Sequence, residues 1–214
     1  MKIGHGRRWC LPALAGWMPL LLAGCSGLFN SNVPLSQVYV LRPTWPAAGV
    51  PTAAATEPST VQVMLPQAVP GLASDNIIVL RSGERLDHYR GARWPAAAPG
   101  LLQALAIEAL RTAHRFAMVE SDAGPFAADY VLSLELTHFE VEYTGAGAPT
   151  VHVALVCSLG RRGSRDVIAS FSADSRVTAA ADRMQPVVAA FERATGEALS
   201  QLVAGVPAPP STRP

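Results

Sequence analysis

The chain reads as an α+β protein: a two-layer sandwich with two main helices packed on one face of a mostly antiparallel sheet. Three observations predict this. Several runs alternate apolar and polar residues with the period of two of a half-buried strand, the longest being "DYVLSLELTHFEVEY" at 129–143. Two runs, near 100–114 and 185–204, carry apolar residues at the three- and four-residue spacings of an amphipathic helix. The elements come as strands, a helix, longer strands and a helix, a segregated order rather than a regular βαβ alternation.

Residues 36–42, "SQVYVLR", set Val38 and Val40 against Tyr39 and Leu41 and read as a strand. Residues 43–59 are rich in Pro, Ala and Thr and read as a loop. Val61, Val63 and Leu65 alternate until Pro66 and Pro70-Gly71 end the run. The runs 76–81 and 84–90 flank Ser82-Gly83, the signature of a tight hairpin. Residues 91–99 lead into a helix at 100–114. Its stripe is Leu102, Leu105, Ala106, Ala109 and Leu110, and Arg111, His114 and Arg115 suit the negative end of its dipole. Residues 116–120 form a short strand.

The long strand at 129–143 changes phase. Tyr130, Leu132, Leu134 and Leu136 share one face, whereas Phe139, Val141 and Tyr143 have the opposite parity. A regular strand cannot bury both sets on one side. Either a bulge lies near Thr137-His138 or the strand passes from the core to a different contact. After a break at 145–149, residues 151–159 and 166–176 form a second hairpin around 160–165. The final helix, 185–204, buries Val188, Phe191, Thr195, Ala198, Leu199 and Leu202, with Pro186 in its first turn and Gly205 at its stop.

Half of the 214 residues are hydrophobic and 15% are charged, a globular composition sufficient for one domain. The division is 1–24, 25–35, 36–205 and a Pro-rich tail at 206–214. Residues 1–24 hold Lys2, Arg7 and Arg8, then an apolar stretch broken by Pro12 and Pro19. That is short of the about 20 residues of a membrane-spanning helix and reads as a secretory signal peptide. Its end, Leu22-Ala23-Gly24-Cys25, resembles the bacterial lipobox; the plainer alternative is an ordinary signal peptide with an incidental cysteine. In the lipobox reading Cys25 becomes the first residue and carries a covalent N-acyl diacylglyceryl lipid, an anchor of three chains at about 0.8 kcal/mol per buried CH₂. Ser26, where Asp would signal retention by the enterobacterial sorting rule, implies the outer membrane. About ten tether residues reach at most about 33–36 Å, which keeps the domain near the membrane.

Cleavage removes three of the 17 basic residues and none of the 16 acidic ones, so the mature chain is slightly acidic. That argues against nucleic acid as a partner. Cys10 leaves with the signal, and Cys157 is left without a thiol partner, as a small buried hydrophobe. The five histidines lie at 5, 88, 114, 138 and 152, with no His-x-x-x-His or Cys-x-x-Cys spacing, so no metal is expected. No Gly-x-Ser-x-Gly occurs, and no lysine follows Lys2, so neither a nucleophile elbow nor Schiff-base chemistry is indicated. Glu140 and Glu142 share a strand face, and His138 adjoins them. They read as a solvated face, with a glycosidase-like carboxylate pair or a metal pair as the sharper alternatives. Arg161, Arg162 and Arg165 form a basic hairpin tip, read as a solvated turn or as a contact for anionic headgroups or an acidic partner. No catalytic residue and no cofactor beyond the lipid is assigned.

The ordered segments resemble the ABC-type transport auxiliary lipoprotein family, whose members include PqiC-like proteins. The resemblance rests on "VYVLRP" with Tyr39, on "VQVMLPQAVPGLASDNIIVLRSGERLDHYRGARWP" with Tyr89, Arg93 and Trp94, and on "LLQALAIEAL". It continues through "ADYVLSLELTHFE", with Tyr130, Leu132, Leu134, Glu135 and Phe139, and "AAFERATGEAL". It implies a non-catalytic, periplasm-facing outer-membrane lipoprotein of an intermembrane lipid transport system. The implied partners are an MCE-domain protein and, through it, an ABC permease and ATPase; self-association stays open. Tyr39 and Trp94 then read as core aromatics or as partner-facing ones. An assembly lipoprotein of another envelope machine, in secretion or outer-membrane biogenesis, is the alternative function.

Overall fold

The computed structural model describes residues 36–45 and 59–207, except 83, 146 and 165. One long strand, β7 (Tyr130–Tyr143), organises a nine-stranded sheet among the described residues. Along one edge it pairs antiparallel with β8 (Thr150–Arg161), which pairs antiparallel with β9 (Val167–Thr178). Along the other edge three short strands join it in succession, all parallel. They are β2 (Thr60–Val63), β3 (Gln67–Ala68) and β4 (Asn76–Arg81), with Val61 beside Tyr130, Gln67 beside Glu135 and Ile78 beside Glu140. β4 turns back into β5 (Arg85–Arg93) as the expected antiparallel hairpin, with Ser82 at φ 55° in its turn. β6 (Met118–Ser121) pairs parallel with β2. The long ladders are thus antiparallel, as expected, while the first half of the chain joins through parallel pairs. These pairs link segments far apart in sequence, and a local periodicity carries no record of them.

The phase change in β7 is a bulge. The register with β8 shifts between Leu136 and His138, which leaves Thr137 as the extra residue. Tyr130, Leu132, Leu134 and Leu136 are buried before it, Phe139 and Val141 after it, all in one core. The single inserted residue resets the parity, so apolar side chains of both parities reach the same side.

The helices α1 (Ala98–Thr112) and α2 (Met184–Gly205) cover that side. The five expected stripe residues of α1 are all buried. In α2 the buried set begins at Val187 rather than Val188, which is only partly covered, and continues through Phe191, Thr195, Ala198, Leu199 and Leu202. Leu199 and Leu202 are fully buried beside Ala190, Ala194 and Ala198, whose small side chains allow close approach to the sheet. Phe139 and Phe191 lie 5.1 Å apart, and Trp94 packs edge-on to Phe191 at 5.0 Å. Among the described residues no helix is long and apolar enough to cross a membrane.

The strand expected at 36–42 is mostly a strap. Only Gln37–Val38, β1, pairs, in parallel with β5. The chain then crosses α2: Leu41 is buried, and the Arg42 amide donates to Glu192 Oε1 at 3.0 Å. Gly196 permits the crossing, because a Cβ there would collide with the Thr44 carbonyl oxygen.

Candidate polar site on the open sheet face

The two faces of β7, β8 and β9 can be told apart by their contacts. Ser175 of β9 donates to Glu197 on α2 at 2.6 Å, and Phe139 of β7 packs on Phe191 of α2. Their strand neighbours therefore point the other way. His138, Glu140 and Glu142 on β7, His152 on β8, and Asp174 and Arg176 on β9 gather on that second face.

Cross-strand register assembles them. Glu140 stands opposite His152, and His152 opposite Arg176. His152 is only 1% exposed. Its Nδ1 lies 3.0 Å from Glu142 Oε1 and its Nε2 lies 2.9 Å from Asp174 Oδ2. The His138 ring stacks on it at 3.9 Å, and His138 Nδ1 is 2.6 Å from Glu140 Oε1. Glu140 is likewise buried, and its Oε2 accepts the Phe139 amide hydrogen. Glu142 Oε2 accepts from Arg176 at 3.0 Å. Three carboxylates thus face one guanidinium and two imidazoles.

This arrangement does not resemble the glycosidase-like pair considered from the sequence. Both oxygens of Glu140 and both of Glu142 are bonded within the chain. The solvated-face reading is corrected for Glu140, which is buried, while Glu142 is partly covered and His138 stays accessible. The missed residue is His152, hidden in an apolar run. Its signal was the break at 145–149: counting outward equally from residue 146 on both strands brings His152 opposite Glu140.

A second polar chain lies at the end of β7. Tyr143 donates to Asp182 Oδ1, and Tyr89 Oη lies 2.8 Å from Tyr143 Oη. Burial, and then the bond to Asp182, push the Tyr143 hydroxyl well above the usual tyrosine range; burial raises Tyr89 as well. The Arg81 guanidinium lies 4.7 Å from the Tyr143 ring centroid. The chain links β4, β5 and β7 to the segment before α2.

Cys25, Ser26 and Arg165 lie outside the described residues. Trp94 is fully buried in the core, so it cannot face a partner. Tyr39 is half-buried against the core edge, and its hydroxyl donates to Gln37 Oε1 at 2.6 Å. Arg162, exposed at its backbone turn, donates to Gln62 of β2 and through its amide to the Asp129 carbonyl at 2.8 Å. The Arg161 guanidinium lies 5.6 Å from the Tyr130 ring centroid. Both arginines therefore have intramolecular contacts. Cys157 is buried and its thiol is pushed up to about 12 by that burial, so no thiolate nucleophile forms near neutral pH.

Comparison with known proteins gives a consistent picture. The family model described as "ABC-type transport auxiliary lipoprotein component" matches residues 39–203. The fold is similar to a crystal structure of a Xanthomonas campestris protein of the DUF330 family. That match has a TM-score of 0.68 at 24% identity, over 78% of this chain and 93% of that one. A second crystal structure, of an uncharacterized protein, is similar with a TM-score of 0.58 at 13% identity, over 78% of this chain and 98% of that one. At these identities the likeness concerns the fold alone. None of the curated proteins matches the sequence significantly.

Proposed function

We propose a function from one premise: this chain belongs to the ABC-type transport auxiliary lipoprotein component family. A lipoprotein of that family is held at an envelope membrane and serves an ABC transport system. Our reading is more specific. The chain is a non-catalytic lipoprotein anchored in the outer membrane through Cys25, with Ser26 as its sorting residue. It docks the periplasmic tunnel of an MCE-type intermembrane lipid transporter and, through the MCE-domain protein, reaches the permease and ATPase.

The family match across 39–203 is the observation that carries the reading. The Leu-Ala-Gly-Cys motif supports it, since it lies only eleven residues before the described domain begins at Ser36. A short tether of that kind keeps a domain beside the leaflet that its lipid occupies. The polar cluster adds no nucleophile, and its carboxylates are all engaged, which favours a binding or assembly role.

The test is affinity purification of the lipidated full-length chain from native membranes after density fractionation. The expected result is recovery from the outer-membrane fraction with an MCE-domain protein, a permease and an ATPase. Recovery with secretion components instead, or full transport by a soluble periplasmic Cys25→Ala form, would refute the docking role.

A further inference from the structure

The polar cluster points beyond docking. We infer that His138, Glu140, Glu142 and His152 form a binding site for one zinc ion, closed by four protein ligands. The inference is independent of the transport reading and departs from the expectation of no metal, which rested on spacings along the sequence.

The orientation of the ligand atoms carries it. In three of the four residues one atom is held away from the centre. Glu140 Oε2 is fixed by the Phe139 amide, Glu142 Oε2 by Arg176, and His152 Nε2 by Asp174. The remaining atoms, Glu140 Oε1, Glu142 Oε1 and His152 Nδ1, converge with His138 Nδ1. One ligand atom from each of the four residues lies within 4.8 Å of all the others. Ligands about 2.0–2.1 Å from a tetrahedral zinc are about 3.3 Å apart. The present separations bracket that value: 2.6 Å for His138–Glu140, 3.0 Å for His152–Glu142 and 3.9 Å for His152–Glu140. Small side-chain adjustments suffice.

The surroundings match a metal site in two further ways. The Asp174–His152 contact is the carboxylate–imidazole pairing that orients a metal-bound histidine and fixes its tautomer. The charge is also suitable. Among the described residues, Glu140, Glu142 and Asp174 face Arg176 as the permanent cation of the patch, where a divalent ion offsets the excess. Two imidazoles among four ligands favour zinc over calcium or magnesium, which take oxygen ligands. Upon binding, the ion takes the place of the hydrogen shared by His138 Nδ1 and Glu140 Oε1 and of that shared by His152 Nδ1 and Glu142 Oε1. Each imidazole then carries its hydrogen on Nε2, and His152 Nε2 donates it to Asp174 Oδ2.

Four protein ligands leave no open position, so the ion is structural. It would tie β7 to β8 immediately after the bulge, the one place where their ladder is interrupted.

The experiment uses untagged full-length protein in detergent, stripped with a chelator, dialysed against zinc and analysed for bound metal. We expect one zinc per chain and a rise in the thermal unfolding midpoint. His138 is the most exposed ligand, with 41% of its side chain accessible, so His138→Ala should fold and bind at least tenfold more weakly. Asp174→Asn, at a side chain that bonds His152 and none of the other three ligands, should weaken binding about 10–100-fold. Metal content equal in the wild type and in a folded His138→Ala/Glu142→Gln variant, or no zinc retained by the wild type, overturns the site.

Discussion

The two faces of the same three strands solve burial in different ways. Toward the helices, β7, β8 and β9 present Phe139, Val141, Val151, Val153, Leu155 and Ala173, covered by α2 and free of charge. Away from the helices the same strands present His138, Glu140, Glu142, His152, Asp174 and Arg176. There His152 and Glu140 are buried, with the His138 ring stacked on His152. The first face is stabilised by area removed from water, which is non-directional. The second depends on paired atoms, each of which loses much if its partner is removed. An apolar face tolerates approximate shapes, whereas the polar one requires a particular register. The bulge at Thr137 supplies that register.

Deleting Thr137 should therefore have the largest effect. Without the extra residue, either Leu132, Leu134 and Leu136 or Phe139 and Val141 must leave the core, and His138 and Glu140 exchange places with apolar neighbours. The expected outcome is loss of cooperative thermal unfolding and of near-ultraviolet circular dichroism. A deletion variant that melts cooperatively near the wild-type midpoint would show that the bulge does not set the two faces.

Single substitutions sharpen the contrast. Phe139→Ala opens a cavity between Trp94 and Phe191 and should cost about 3–5 kcal/mol in denaturant unfolding. His152→Leu keeps the volume but strands Glu142 and Asp174, and should cost about 1–3 kcal/mol. Asp174 is half-exposed and can rehydrate, which limits the second loss. If His152→Leu is the more damaging of the two, the polar face contributes more to stability than the comparison holds.

The same contrast explains what the sequence revealed. Both helices and the two hairpins were legible, because each is written in a local period, and the interruption at Leu136–Phe139 was legible as a phase change that the register with β8 then identifies as a bulge. Two features were not. The parallel pairing of β2, β3 and β4 with β7 joins segments tens of residues apart, and nothing local in "TVQV" or "NIIVLR" names its partner. The polar cluster was divided among three strands. His152 read as one polar residue in an apolar run, and only the register between β7 and β8 makes it a neighbour of Glu140. Trp94 reads the same whether it faces the core or a partner until α2 is seen to cover it.

The smallest effect concerns the other end of β7, where one exposed carboxylate ties two strands. Asp129, just before Tyr130, accepts from both the Thr60 amide and the Thr60 hydroxyl at 2.8 Å, joining β2 to β7. The amide bond first, then the hydroxyl bond, hold its carboxyl below its ordinary value of 3.8, against a smaller opposing effect of burial. A carboxyl lowered in the folded state stabilises the fold above its unfolded pKa, and that contribution is lost as pH falls through the folded value. Asp129→Asn should therefore be less stable than the wild type at neutral pH. The gap should narrow only below pH 3.8, as measured by urea midpoints across that range. Because the group is exposed, solvent screens the pair and the gap should be small. A gap that persists unchanged well below that pH would mean that the substituted amide loses the Thr60 bonds for steric reasons rather than for want of charge. The clamp would then belong with the shape-dependent face of β7 and not with its polar one.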